Sequence, residues 1–172
     1  MFSEVENLLN SEKSFNIPFP MGVFGTLREG QYNHHLMRLG TFYKSQKAFM
    51  PNFVAEGLSL KAKAKATAPF EVYFYNREEW NKIIERVDAL ESFSPRMAGL
   101  PGSDTWSYGG YYRTLSYLHI LPDEYDLPTD LWGERNLGIP ENEWEKYERI
   151  PCWVYSNRKN NSICNGYPII WG

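Results

Sequence analysis

Residues 21–40 read MGVFGTLREGQYNHHLMRLG. MGVFGTL has the length and apolar content of a short buried strand, and it runs into a glycine turn at Gly25. REGQYN is a polar turn with a second glycine, Gly30. Asn33 is placed to cap a following helix, HHLMRLG, which Gly40 would close. A strand, a glycine turn and a helix start make a natural cradle for a small ligand. Backbone N–H groups at such a turn attract anionic groups. On this segment alone, a ligand cradle and a plain connecting loop are equally good readings.

Upstream, Pro18 and Pro20 end any helix and feed the strand. Residues 3–14 carry Val5, Leu8 and Leu9 among charges and predict a short amphipathic surface helix with Ser3 as its N-cap. Downstream, LSLKAKAKA alternates with period two. Lys61, Lys63 and Lys65 fall on one face of the predicted strand, and Ala62, Ala64 and Ala66 on the other. A solvated lysine face that resists edge pairing accounts for this better than an anion-binding stripe. FEVYFY, residues 70–75, is a stronger strand, rich in aromatic and branched side chains.

A helix follows. Asn76 and Glu79 resemble a capping box, and Trp80, Ile83, Ile84 and Val87 fall at i, i+3, i+4 and i+7. At about 100° per residue from Trp80, Val87 lies roughly 20° to one side of the apolar stripe and Glu91 roughly 20° to the other. The stripe therefore ends in a carboxylate, unless the helix has already stopped and Glu91 faces water. Burial and the negative end of the helix dipole would both raise a carboxyl pKa there. A carboxyl tuned upward suits a general acid–base near neutral pH.

Residues 94–110, with Pro95, Pro101 and four glycines, read as a long loop, long enough to cap a site next to Glu91. Residues 110–121 predict another strand, and 122–139 a Pro/Asp/Gly-rich connection. PENEWEKYERI predicts a helix with Pro140 at its start, and CWVYS a last strand. Ile169, Ile170 and Trp171 are placed to pack the tail.

The 172 residues fit one domain able to bury a core, and aromatics at 16% point to a packed interior. A formal net charge of -3 argues against a general nucleic-acid partner. Cys152 and Cys164 have no metal-ligand spacing; they read as free thiols in a reducing compartment, with one bridge between them still open. The start lacks a basic and an apolar leader region, and no apolar run approaches the roughly 20 residues of a membrane span. A cytoplasmic protein with no membrane and no metal is the expectation. His34 and His35 point to different faces without an evident carboxylate partner, so surface or capping roles are expected of them. Cys152, within an apolar strand, reads as a small core residue.

VFGTLREGQYNHHLM resembles the opening strand and loop of the gamma-glutamylcyclotransferase-like family, closest to its gamma-glutamylamine cyclotransferase branch. Gly25, Thr26, Leu27, Arg28, Gly30, Asn33 and His34 carry the likeness. Asp88 and Glu91 match an Asp-x-x-Glu at a helix end, Tyr112 and Arg113 a following strand, and Trp153, Val154 and Tyr155 a late one. Phe24 stands where the family has tyrosine, Ser92 where it has glycine, and residues 92–111 and 122–149 are enlarged.

The resemblance implies an α+β fold: a small mixed β-barrel flanked by helices, in a single domain with residues 1–19 as an extension. It implies conversion of a gamma-glutamyl amine or amide to 5-oxoproline and free amine. Glu91 would be the catalytic acid–base, and Phe24, Gly25, Thr26, Leu27, Arg28 and Tyr112 would bind substrate. No cofactor is implied, and the protein would be a monomer or small homo-oligomer. Two alternatives stand beside it: a non-catalytic small-ligand or protein-binding module on the same fold, and a relative acting on an acylated antibiotic-like amine.

Overall fold

The computed structural model describes residues 18–39, 41, 44–57, 59–90, 111–130 and 132–157, without the side chains of 85, 88–90, 111–115, 156 and 157. The expected N-terminal helix, Gly40, Glu91, the loop 94–110, Cys164 and the tail lie outside the described residues.

Six strands form, β1 (Met21–Val23), β2 (Lys44–Glu56), β3 (Ser59–Phe74), β4 (Tyr111–Ile120), β5 (Glu134–Arg135) and β6 (Arg149–Asn157). They run in the order β3-β1-β6-β4-β2-β5, and β2 pairs back onto β3. Five strands thus close a barrel, with β5 attached to β2. β1 pairs in parallel with β6, Met21 opposite Trp153 and Gly22 opposite Val154, and the other pairings are antiparallel. The fold is a small mixed barrel of the α+β class.

Alternation divides the strands between inside and outside. Phe70 and Val72 belong to the interior with Phe24, Met50, Leu118, Cys152 and Val154, as expected for Cys152. Ala48, Ala55, Ala68 and Gly22 intersperse small side chains, as a barrel of few strands requires. The opposite phase places Tyr73, Tyr75, Trp153 and Tyr155 in a second cluster, outside the barrel.

That outer face is covered by α1 (Arg77–Leu90). Asn76 Oδ1 accepts the Glu79 amide at 2.8 Å, which caps the helix start as expected, but the Glu79 carboxylate accepts from the Thr41 amide and Lys82 Nζ instead of closing a capping box. Trp80, Ile83 and Val87 are buried against Met21, Val23, Leu27, Tyr73 and Trp153, with Ile84 partly buried at the edge.

Three expectations are corrected. His34–Arg38 and Glu141–Lys146 are 3-10 helices, because these short segments close i to i+3 bonds such as Leu36 N to Asn33 O. Ala62 and Ala64 are exposed like the lysines beside them. Pairing passes from Pro51–Thr67 to Phe53–Ala62, so a bulge breaks the period-two face; Asn52 and Lys65 have positive φ there, and Lys65 N donates to Asn52 Oδ1. Residues 122–149 are also more than a connection. They supply β5, a 3-10 helix and a third apolar cluster, in which Ile139, Leu127, Leu137, Trp144 and Tyr147 pack on Phe49 of β2. Among the described residues no helix is long and apolar enough to cross a membrane.

Candidate functional site

The end of β1 delivers residues 24–33 to the rim between barrel and α1. Phe24 turns inward and meets the Phe70 ring, centroids 5.4 Å apart. Leu27 turns outward into the α1 cluster. Gly25 O accepts both the amide and Nε of Arg28, each at 3.2 Å. Thr26 O accepts the Asn33 amide at 2.9 Å, and Thr26 Oγ1 accepts Asn33 Nδ2 at 2.9 Å. Asn33 therefore staples the loop across seven residues instead of capping the helix, and its side chain makes no cap bond. Among the described residues, the amides of Thr26 and Leu27 have no acceptor. The amides of Gly25, Gly30 and Tyr32 in the same loop likewise show none, and these are together the donors open to a ligand.

His34 is buried, contrary to a surface role. Its Nδ1 bonds Leu27 O at 2.9 Å, and Arg38 Nε donates to its Nε2 at 3.3 Å. A carbonyl only accepts and a guanidinium only donates, so these partners fix the Nδ1–H tautomer. The ring holds the loop in place. Arg28 is buried too, at 3% exposure, with Nη1 on Pro128 O at 2.8 Å. Burial lowers its pKa, against the opposing charges of Glu71 and Asp130. Gln31 Nε2 reaches Thr129 O, and Arg135 holds Asp130 O and Gly57 O. Burial, and then Arg28, lower the Arg135 pKa to about 10. The segment 128–130 is thus clamped under the glycine loop.

Sequence reading missed Glu71. It is the only charge in FEVYFY, a carboxylate in an otherwise apolar and aromatic strand, and that was its available signal. Glu71 faces outward, opposite Lys47 of β2. Its Oε1 accepts the Glu29 amide at 2.7 Å and the Tyr73 hydroxyl at 2.7 Å. Burial above all, and then the Glu71 charge and hydrogen bond, push the Tyr73 phenol far up, so it stays protonated. Beside this pair lies a cavity of about 300 Å³, lined by Glu29, Ser45, Gln46, Lys47, Glu71, Tyr73 and Asp123.

No protein-family model matches the chain, and no curated protein matches it significantly. Of the expected site, the structure brings Phe24, Gly25, Thr26, Leu27 and Arg28 onto one loop. Tyr112 lies in β4 opposite Ser156, its side chain outside the description. Glu91 follows the last described residue of α1. Val87, four residues earlier in the sequence, lies in the same apolar cluster as Leu27. Among the described residues no His, Cys, Asp or Glu group could hold a metal ion.

Proposed function

We propose that the chain is a gamma-glutamylcyclotransferase-like enzyme that converts a gamma-glutamyl amine to 5-oxoproline and free amine, with Glu91 as acid–base. The observation that carries this reading is the pair of amides at Thr26 and Leu27 without acceptors, on a loop pinned by Asn33, His34 and Arg28. Val87 of α1 and Leu27 of that loop belong to one buried apolar cluster, and Glu91 stands four residues after Val87 in the sequence, which supports the reading.

In the reaction, the substrate α-amine attacks its own side-chain carbonyl carbon. A C–N bond forms and the carbonyl oxygen becomes an oxyanion, which the Thr26 and Leu27 amides would stabilise. Glu91 takes the proton from the attacking nitrogen. The intermediate then collapses, the bond to the departing nitrogen breaks, and Glu91 returns the proton to that nitrogen. Holding the substrate folded supplies much of the rate, and no metal or nucleotide enters the balance.

Incubation with a panel of gamma-glutamyl amines should release 5-oxoproline. Glu91→Gln should lower turnover by at least about 100-fold with its unfolding midpoint unchanged. Activity within a few-fold of the unsubstituted protein removes Glu91 from the mechanism. The acid-lined cavity beside the loop also fits a second reading, a module that holds an amine-bearing ligand without turning it over. Saturable ligand binding with no product across the panel selects that reading.

A further inference from the structure

Residues 25–28 form a turn closed by the Arg28 amide on Gly25 O at 3.2 Å. Its central residues, Thr26 and Leu27, carry two of the open amides. Among the described non-glycine residues only Asn52 and Lys65 have positive φ, so both central residues have negative φ and the turn is type I. Its backbone follows one turn of a helix, and the Thr26 and Leu27 N–H groups point roughly the same way. Among the described residues no peptide bond is cis. In a planar trans unit, the carbonyl and the amide of the next residue point in opposite directions. Whatever holds Gly25 O therefore aims the Thr26 N–H, and whatever holds Thr26 O aims the Leu27 N–H. The Asn33 amide holds Thr26 O at 2.9 Å. Arg28 alone holds Gly25 O, through both its amide and its Nε.

The guanidinium thus lies behind the turn, on the side opposite the Thr26 N–H, and it is braced there. Its Nη1 donates to Pro128 O, while Gln31 Nε2 and Arg135 Nη1 hold the next two carbonyls, those of Thr129 and Asp130. Glu71 and Asp130 are the acidic charges that face Arg28, and Arg135 is the basic one. Among the described residues no carboxylate forms a salt bridge with Arg28, and its buried Nη2 has no acceptor. An arginine stays protonated in a protein. A positive charge in direct contact with no carboxylate therefore bears on the Gly25 carbonyl. A charged donor on that oxygen polarises the peptide and strengthens its N–H as a donor.

We propose that Arg28 is a positioning residue for the Thr26 amide: through Gly25 O it aims and polarises that N–H, and segment 128–130 holds the guanidinium in place. Its effect on turnover rests on the function proposed above. There the oxyanion forms against the Thr26 N–H, so Arg28 acts on the rate without touching substrate.

The aim of the amide can be read without turnover. In NMR spectra of the full chain, Arg28→Met should move the Gly25 carbonyl carbon and the Thr26 amide more than Asn76→Ala does, a variant that loosens the start of α1 instead. In turnover of a gamma-glutamyl amine, Arg28→Met should lower kcat at least about tenfold and change KM less than about threefold, because the bond to the oxyanion is made only in the transition state. Arg28→Lys keeps a charged donor near both carbonyls and should raise kcat at least about threefold over Arg28→Met. Unmoved resonances, a loss carried by KM alone, or a lysine variant no better than the methionine one overturns the proposal. Should Arg28→Met not fold, Arg28→Lys decides: its two resonances must move and its kcat fall with KM held, or the proposal falls. Native kcat in Arg28→Met overturns the positioning and leaves the cyclotransferase reading standing. Movement of both resonances, with no 5-oxoproline from any substrate, leaves the positioning standing and removes the cyclotransferase reading.

Discussion

A hydrogen atom is all that Gly22 places inside the barrel. A methyl group there would meet Leu118 Cδ1 at 2.6 Å, with Val154 and Phe70 close behind. Leu118 is fully buried and has little room to yield. Gly22→Ala should therefore cost about 1–3 kcal/mol, the scale of an overpacked core, read from the denaturant midpoint. A loss below about 0.5 kcal/mol would mean the interior is looser than its packing indicates. His119 gives a pH-dependent counterpart. It stacks on Phe49, centroids 4.8 Å apart, and its Nδ1 bonds Tyr147 O. Burial lowers its pKa, against the Tyr147 and Trp144 carbonyls. The unfolded chain therefore binds this proton at higher pH than the folded chain does. Stability from this group is complete above its unfolded value of about 6.5 and is lost as pH falls below it, toward the depressed folded value. Urea midpoints between pH 7.5 and 5.5 should fall for the native chain more than for His119→Phe; parallel slopes would exclude His119 as the source. At this scale sequence reading placed Cys152 correctly and misplaced His34. Period two in a strand announces burial, whereas His34 is buried by the loop that curls over it, which no local pattern encodes.

Among the elements, α1 was the most legible. Its capping residue and 3.6-residue stripe are both local, and each holds in the structure. Asn76→Ala should cost about 1 kcal/mol, the usual value of an N-cap, and Asn76→Asp should restore most of it. If the alanine variant is as stable as the native chain, the helix start is held by packing alone. The segment 122–149 was not legible. Its partners are distant in sequence: Leu137 donates to Thr67 O, Arg135 to Gly57 O, and Arg28 to Pro128 O. A Pro- and Gly-rich stretch whose order comes from such contacts reads as plain connection. The same limit hid the cavity, since its lining comes from four separate stretches of chain.

For the whole molecule, strand positions followed from alternation, but barrel closure did not. Nothing periodic says that β1 pairs with a strand 130 residues later, and the barrel was expected only through the resemblance. That closure has a kinetic consequence. The β2–β3 hairpin is local and extensive, and it can form early. β1 is three residues long, and its parallel partner is the last strand described. Until β6 arrives, β4 lacks its most extensively paired neighbour and β1 has hydrogen-bonding partners on one side only. A chain emerging from the ribosome would therefore carry an open sheet edge until β6 is made, and that edge is where nascent copies could associate with one another.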